Sequence, residues 1–365
     1  MNKIKKVLHV IFIEGLSGMT LGLFATLIIG TIMSQLGIFI GGTVGGYIET
    51  VSYVAQALTG MGIGVSVACK FKMPPMIVVS AGVCGWLGAM SKAFLAGDLI
   101  HITETGAKTI AAGIPGEPFG AFIAAMAAIG AGKLVSGKTQ LDILATPIVS
   151  IASGAIIGIL VGPPISTFMT WLGDLINIGV RSHPFFMGII VAVVMGMVLT
   201  LPISSAALGV ILGLNGIAAG AATVGCCTQM VGFAVASYRE NKIGGLVAQG
   251  LGTSMLQVPN IMRHPLIWIP PTLASAVLGP VVTCIFGMTS NAVGSGMGTS
   301  GLIGPILGYQ TMIADGFKSS TAITEIIVMY VILPAILTWI LSEFMRKMNW
   351  IKKGDMKLCL QEERK

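Results

Sequence analysis

The chain has 365 residues, of which 54% are hydrophobic and only 10% charged, and its mean hydropathy is +0.91. A water-soluble domain carries about 25% charged residues, so this composition excludes a soluble globular protein and describes a chain whose solvent is lipid. The net charge of +7 does not indicate nucleic acid: the positive residues gather at Lys3, Lys5 and Lys6 and again at Arg346, Lys347, Lys352, Lys353, Lys357, Arg364 and Lys365, which by the positive-inside rule puts both ends in the cytoplasm and requires an even number of spans.

In chain order, residues 4–13 show helical spacing suited to the membrane interface. The apolar run then continues past residue 30 without a small-residue cleavage site, so it reads as a retained first span over 17–36 rather than a signal peptide. A second span is expected over 47–68, ended by Lys70 and Lys72, and Pro74-Pro75 opens a third that stops near Lys92. Residues 95–119 are the most polar internal segment, with Asp98, His101, Glu104, Lys108 and Glu117, and belong outside or folded back into the protein. A short apolar piece at 119–134 follows, Lys133, Lys138 and Asp142 return the chain to the cytoplasm, and the span 143–161 is broken at Pro163-Pro164.

An amphipathic stretch at 165–182 joins two approximate halves, 1–182 and 183–342. The second half is apolar to residue 236 but interrupted by Pro202, Gly213, Gly216, Gly220 and Gly225, so it holds two or three segments. After a polar turn at Arg239, Glu240 and Lys242 come pieces at 243–258, 266–286 and 302–312 and a last span at 323–341. Residues 343–365 form a basic cytoplasmic tail. The order of a Gly-rich piece, a polar turn and a Pro-opened span at 119–161 returns at 243–286, a faint sign of duplication. The expected architecture is an all-α polytopic membrane protein. The 50 glycines suit close helix contacts and re-entrant hairpins.

Cys69, Cys84, Cys226, Cys227, Cys284 and Cys359 have no metal-ligand spacing and most sit in apolar runs, so neither disulfides nor a metal site is expected. Gly132 to Thr139 fits the P-loop pattern and Gly296 to Gly301 fits GxGxxG, but neither has the strand-then-helix setting those motifs need. The first reads as a turn with positive-inside lysines. The second reads as tight packing, a flexible loop, or a re-entrant tip in which Asn291, Thr299 and Ser300 face a substrate.

Two further constellations stand out. In Gly113 to Gly120 two prolines flank Glu117 just before an apolar segment, where the carboxylate either caps a helix or accepts hydrogen bonds from a polyhydroxylated substrate. In Gln257 to Pro265 an amide pair, Gln257 and Asn260, stands beside Arg263 and His264. This is a turn with a positive-inside arginine or a second set of substrate contacts, in which His264 could exchange a proton. Glu14 and Glu49, lone acids near span ends, read as interfacial caps or pair partners rather than substrate contacts. No catalytic residue and no cofactor is expected.

Glu14-Gly15-Leu16-Ser17-Gly18-Met19, the run Met262 to Pro271, and Gly296 to Gly301 carry a resemblance to the membrane-embedded IIC components of bacterial sugar phosphotransferase systems, in the stand-alone branch that includes the perfringolysin regulatory protein. Gly113 to Pro118 is similar to that superfamily's Gly-Ile-Thr-Glu-Pro motif, with one extra residue. Asn260 to Pro265 is similar to its Asn-Ile-Asn-Glu-Pro motif, with His264 in place of the acid. The resemblance implies about ten helical elements with re-entrant hairpins at roughly 20 residues per full span, a homodimer in the bacterial cell membrane, and a sugar or polyol permease working by alternating access. It also implies separate IIB and IIA subunits that phosphorylate the substrate. A IIC-like sensor or regulator that no longer transports is the alternative, motivated by His264 and by the lack of fused domains; a non-phosphorylating carrier or channel is a third.

Overall fold

The computed structural model describes residues 14–102, 108–110, 116–138, 141–180 and 183–358. The expected interfacial helix at 4–13, Glu104, and the charges Arg364 and Lys365 lie outside them. The chain is an all-α polytopic membrane protein with one short β ribbon. Among the described residues six helices are long and apolar enough to cross a membrane, or up to seven if the bent pair Gly42–Ala57 and Thr59–Lys70 is one span. The chain divides into two compact units, Met1–Phe168 and Met169–Lys365.

In the first unit, α1 (Leu16–Ile40) packs on α2 (Gly42–Ala57) and α3 (Thr59–Lys70). The single span expected over 47–68 is two helices, bent by 57°. The bend follows from Leu58, which leaves helical geometry (φ −89°, ψ 11°), and from Thr59, whose hydroxyl donates to the Gln56 carbonyl at 2.6 Å and so takes up an acceptor freed by the break. Pro75 opens α4 (Pro75–Ala89) as expected, its fixed φ suiting the first helical turn. The short α5 (Ser91–Ala96) ends at Gly97 in the left-handed region. The ribbon β1 (Ile100–Ile102) and β2 (Lys108–Ile110) pairs antiparallel, Ile100 opposite Ile110.

Two apolar helices follow, α6 (Pro118–Val135) and α7 (Asp142–Val180), the latter belonging to this unit as far as Phe168. α7 runs through Pro147, Pro163 and Pro164, where the sequence predicted a break. A membrane helix can continue through proline where neighbouring helices, hydroxyl side chains and local adjustment satisfy the carbonyl that the proline frees. α4 and α6 meet at Gly88 and Gly120, where a Cβ on either glycine would collide with the other's carbonyl oxygen. Close backbone contact of this kind is how helices associate where no hydrophobic effect drives them together. Cys84, Ala124 and Ala128 fill the seam beside Ile151. The P-loop-like segment ends α6 in a turn: Gly137 is left-handed and its N–H donates to Asp142 Oδ1 at 2.9 Å.

The second unit is built around α10 (Gly216–Ala236), 94% of whose span is buried. It is preceded by α8 (Pro184–Thr200) and α9 (Ser205–Ile211). Next come α11 (Tyr238–Val247), a π turn (Ala248–Gly252), a 3-10 turn (Ser254–Gln257) and α12 (Val258–Arg263). α13 (Pro265–Phe286), α14 (Ile303–Ala314) and α15 (Ser319–Lys347) follow. α8, α13 and α15 all pack on α10. Ala192, Val224, Cys227, Leu278, Met329 and Tyr330 form the core between them. Between α13 and α14 the chain leaves helical structure except for two 3-10 turns, Gly294–Gly296 and Ser300–Leu302. The last described residues form a strap: after α15, left-handed Asn349 reverses the chain, Trp350 N–H returns to Met345 O at 3.0 Å, and Ile351 and Met356 are buried with Phe233, Ile261 and Ile267.

Candidate functional site

A neutral polar thread crosses the apolar second unit. Its hub is Gln229, fully buried on α10. Gln229 Oε1 accepts from Trp268 Nε1 at 3.1 Å and from the Thr200 hydroxyl at 3.4 Å, and its Nε2 donates to Thr272 Oγ1 at 3.2 Å. Thr200 and Ser254 share a hydrogen bond at 2.8 Å. An amide can hold this place because it gives and takes hydrogen bonds at once; a lone polar group in lipid would be strongly disfavoured.

The broken segment after α13 lies against the same helix. Ser290 N–H donates to Gly216 O at 3.2 Å, and Gly220 has no room for a side chain because the Met288 carbonyl occupies the space of its Cβ. The Ser205 hydroxyl holds the Gly296 carbonyl at 2.6 Å. Asn291 Oδ1 accepts from Gly294 N–H at 2.9 Å, and the Thr299 hydroxyl donates to the Gly250 carbonyl at 2.5 Å. Thr289, Ser290 and Ser300 are buried, and among the described residues none of their hydroxyls has a hydrogen-bond partner.

A second network ties down the strap. Gln249 Nε2 donates to Ser237 Oγ at 2.8 Å, and its Oε1 accepts from Gln257 Nε2 at 2.8 Å. Gln257 Nε2 also donates to the Met356 carbonyl at 3.0 Å, and Asn260 Nδ2 donates to Gln257 Oε1 at 2.8 Å and to the Lys357 carbonyl at 3.0 Å. Asn241 adds a bond in each direction, to Met356 O and from Leu358 N–H, both at 2.8 Å. Below this network Arg346 meets Glu240 with both terminal nitrogens, at 2.9 and 3.2 Å, with side chains only 10% and 5% exposed.

Of the residues singled out in the sequence, seven fall in this unit. Gln257 and Asn260 are buried in the amide network, and Arg263 and His264 are exposed on its rim, His264 Nε2 lying 3.6 Å from Asp355 Oδ1. Asn291, Thr299 and Ser300 lie on the broken segment. The two sets converge on the π turn 248–252: Gln257 bonds the Gln249 side chain and Thr299 the Gly250 carbonyl. Glu117 belongs to the first unit. It is the half-buried N-cap of α6, extended at φ −96° and ψ 112°, and its N–H donates to Ala89 O at 2.9 Å.

Sequence reasoning missed Gln229, Thr200, Ser254 and Thr272, and passed over Trp268 although it lies inside a run already marked as characteristic. It also missed Glu325, a carboxylate on α15 with one oxygen buried and unpartnered among the described residues. A signal existed for two of them: Gln229 is the single amide, and Glu325 the single acid, in otherwise apolar stretches. Among the described residues no group of three or more His, Cys, Asp and Glu could hold a metal, and Cys69, Cys84, Cys226, Cys227 and Cys284 are free thiols.

No curated protein matches the chain. The family model for the EIIC component of the phosphotransferase system matches residues 13–358, a stretch that takes in both units, Glu117, the polar thread and the strap. With its membrane-spanning helices and neutral intramembrane polar groups, the chain belongs to the phosphotransferase system EIIC family.

Proposed function

We propose that this EIIC protein is the permease for a neutral sugar or polyol, which it carries by alternating access and passes to a separate IIB subunit charged by IIA. The observation that carries the reading is the trio of buried hydroxyls without partners, Thr289, Ser290 and Ser300, on a broken segment packed against α10. Leaving such a group unpaired disfavours the fold by about 1–3 kcal/mol each, and a polyhydroxylated ligand reaching this segment would supply hydrogen-bond partners. Non-helical backbone at membrane depth is itself a mark of transporter binding sites. The polar thread of amides, hydroxyls and one indole suits a neutral substrate, and Trp268 could offer a ring face to a sugar. Glu117 would add a carboxylate acceptor, as the resemblance implies. Gln257, Asn260, Arg263 and His264 would contact the substrate when the strap is displaced. The protein would be a homodimer in the bacterial cell membrane with both ends cytoplasmic, in the stand-alone branch noted above, and would form no covalent bond to the substrate or to phosphate itself.

The test is ligand-dependent thermal stabilisation of the purified protein in detergent against sugars, polyols and sugar acids, on the wild type, Ser300→Ala and Glu117→Gln. A ligand that binds only the folded state raises its apparent stability by mass action. We expect a neutral sugar or polyol to stabilise the wild type. Ser300→Ala should leave the ligand-free protein at least as stable, because it removes an unpaired hydroxyl, while weakening the ligand about tenfold. A ligand unaffected by Glu117→Gln removes Glu117 from the site. Silence across the panel rejects the permease reading in favour of a sensor.

A further inference from the structure

Where α10 and α15 end, two cavities adjoin and share Arg239. The larger, of about 480 Å³, is lined by Arg239, Glu240, Arg346, Lys353, Gly354 and Lys357. Its single acid, Glu240, already holds both terminal nitrogens of Arg346 and accepts from Gly354 N–H at 3.4 Å. Arg346 is nine-tenths buried, and its Nε has no hydrogen-bond partner among the described residues. Arg239, two-thirds exposed, reaches Glu343 at 3.0 Å. Lys353 and Lys357 are exposed and make no ion pair among the described residues. The cavity is therefore lined by four basic side chains against one acid and carries positive charge in excess.

The smaller cavity, of about 190 Å³, has a different lining: Val235, Ala236, Leu246, Tyr238 and Trp339, with Glu343 and with Arg239, which it shares with the larger one. Tyr238 and Trp339 are 42% and 50% exposed. Exposed Trp and Tyr at the ends of apolar helices mark the level of lipid headgroups. A basic pocket between such helices, beside an apolar cleft, is matched to a ligand with a phosphate at one end and a hydrocarbon chain at the other.

We propose that the paired cavities bind one anionic phospholipid, its phosphodiester among Arg239, Arg346, Lys353 and Lys357 and the upper part of an acyl chain in the cleft beside Trp339. A free phosphate or a phosphorylated sugar shares the headgroup chemistry but leaves the apolar cleft unused. The site is separate from the hydroxyl trio proposed for the sugar.

The test titrates phosphatidylglycerol into the purified full-length protein in a non-ionic detergent and reads the unfolding temperature. Phosphatidylcholine, glycerol phosphate and inorganic phosphate are titrated in parallel, on the wild type, on Lys353→Ala with Lys357→Ala, and on Trp339→Ala. Phosphatidylglycerol should stabilise the wild type at concentrations where phosphatidylcholine does not. The double lysine variant should bind it about 30-fold more weakly with an unchanged unfolding temperature in the absence of lipid, since both side chains are exposed. Trp339→Ala should weaken phosphatidylglycerol and leave inorganic phosphate unaffected. If the alanine pair lowers the lipid-free stability, Lys353→Gln with Lys357→Gln gives the same reading without the loss of length. An equal response to phosphatidylcholine overturns the proposal, as does undiminished binding in the double variant. Full stabilisation by inorganic phosphate at the same concentrations also overturns it, by identifying a free-phosphate site.

Discussion

Gln229 and Arg346 show how single polar side chains are made tolerable in an apolar protein. Gln229 satisfies an indole N–H and two threonine hydroxyls. Gln229→Leu would leave the Trp268 N–H and the Thr272 hydroxyl with fewer partners, and we expect a loss of about 1–2 kcal/mol, read as a lower unfolding temperature in detergent. Arg346 answers to a different rule. Removing one member of a buried ion pair leaves the other charge uncompensated, at about 3–5 kcal/mol. Arg346→Met should therefore destabilise strongly, and adding Glu240→Gln should recover most of the loss; a double variant as unstable as the single one would show that the pair is not the cause. At this scale the sequence was legible where polar residues cluster. Gln257 with Asn260, and Thr299 with Ser300, stand in runs that break the apolar pattern. Gln229 was visible as the single amide of its apolar stretch, but its role was not legible, because its partners come from other elements that no spacing links to it.

Elements were read more reliably at their starts than at their ends. Pro75 and Pro118 open helices because a fixed φ and a missing N–H suit the first turn, and both starts were expected. The bend between α2 and α3 was not, since it depends on Leu58 and on a hydroxyl–carbonyl bond that apolar periodicity does not encode. The unbroken α7 was missed for the opposite reason: Pro163-Pro164 breaks helices in water, and the rule carries less force in lipid. The contact between α4 and α6 leads to a sharper expectation. With the Gly88 carbonyl where a Gly120 Cβ would stand, Gly120→Val must separate the helices, and overpacking of this kind disfavours a fold by about 1–3 kcal/mol. Val at the exposed Gly130, where nothing stands near the added Cβ, makes the same change of helix propensity without the collision and should be neutral or slightly stabilising. The two variants compared by thermal unfolding isolate the packing effect from the change in helix propensity.

At the scale of the molecule, composition sufficed for an all-α membrane protein because a charged fraction of 10% leaves no other solvent for so much apolar surface. It could not reveal that the segment after α15 folds back, because the strap's attachment is mostly backbone: Met356 and Lys357 offer carbonyls that any residue would offer. What selects them is the set of side-chain amides at Asn241, Gln257 and Asn260, together with the buried side chains of Ile351 and Met356, each able to contribute about 1.5–3 kcal/mol. Ending the chain after Met348 should then do more than remove a tail. Gln257 and Asn260 would lose the carbonyl acceptors they now hold, Phe233 and Ile261 would lose a covering layer, and local opening would become easier around them. Hydrogen exchange on the full-length and shortened proteins should show faster exchange at 238–264 and 340–347 and no change at 59–89, in the other compact unit. Unchanged exchange at 238–264 would mean that the amides find water or one another as readily as the strap, and that the strap rests on the second unit without holding it together.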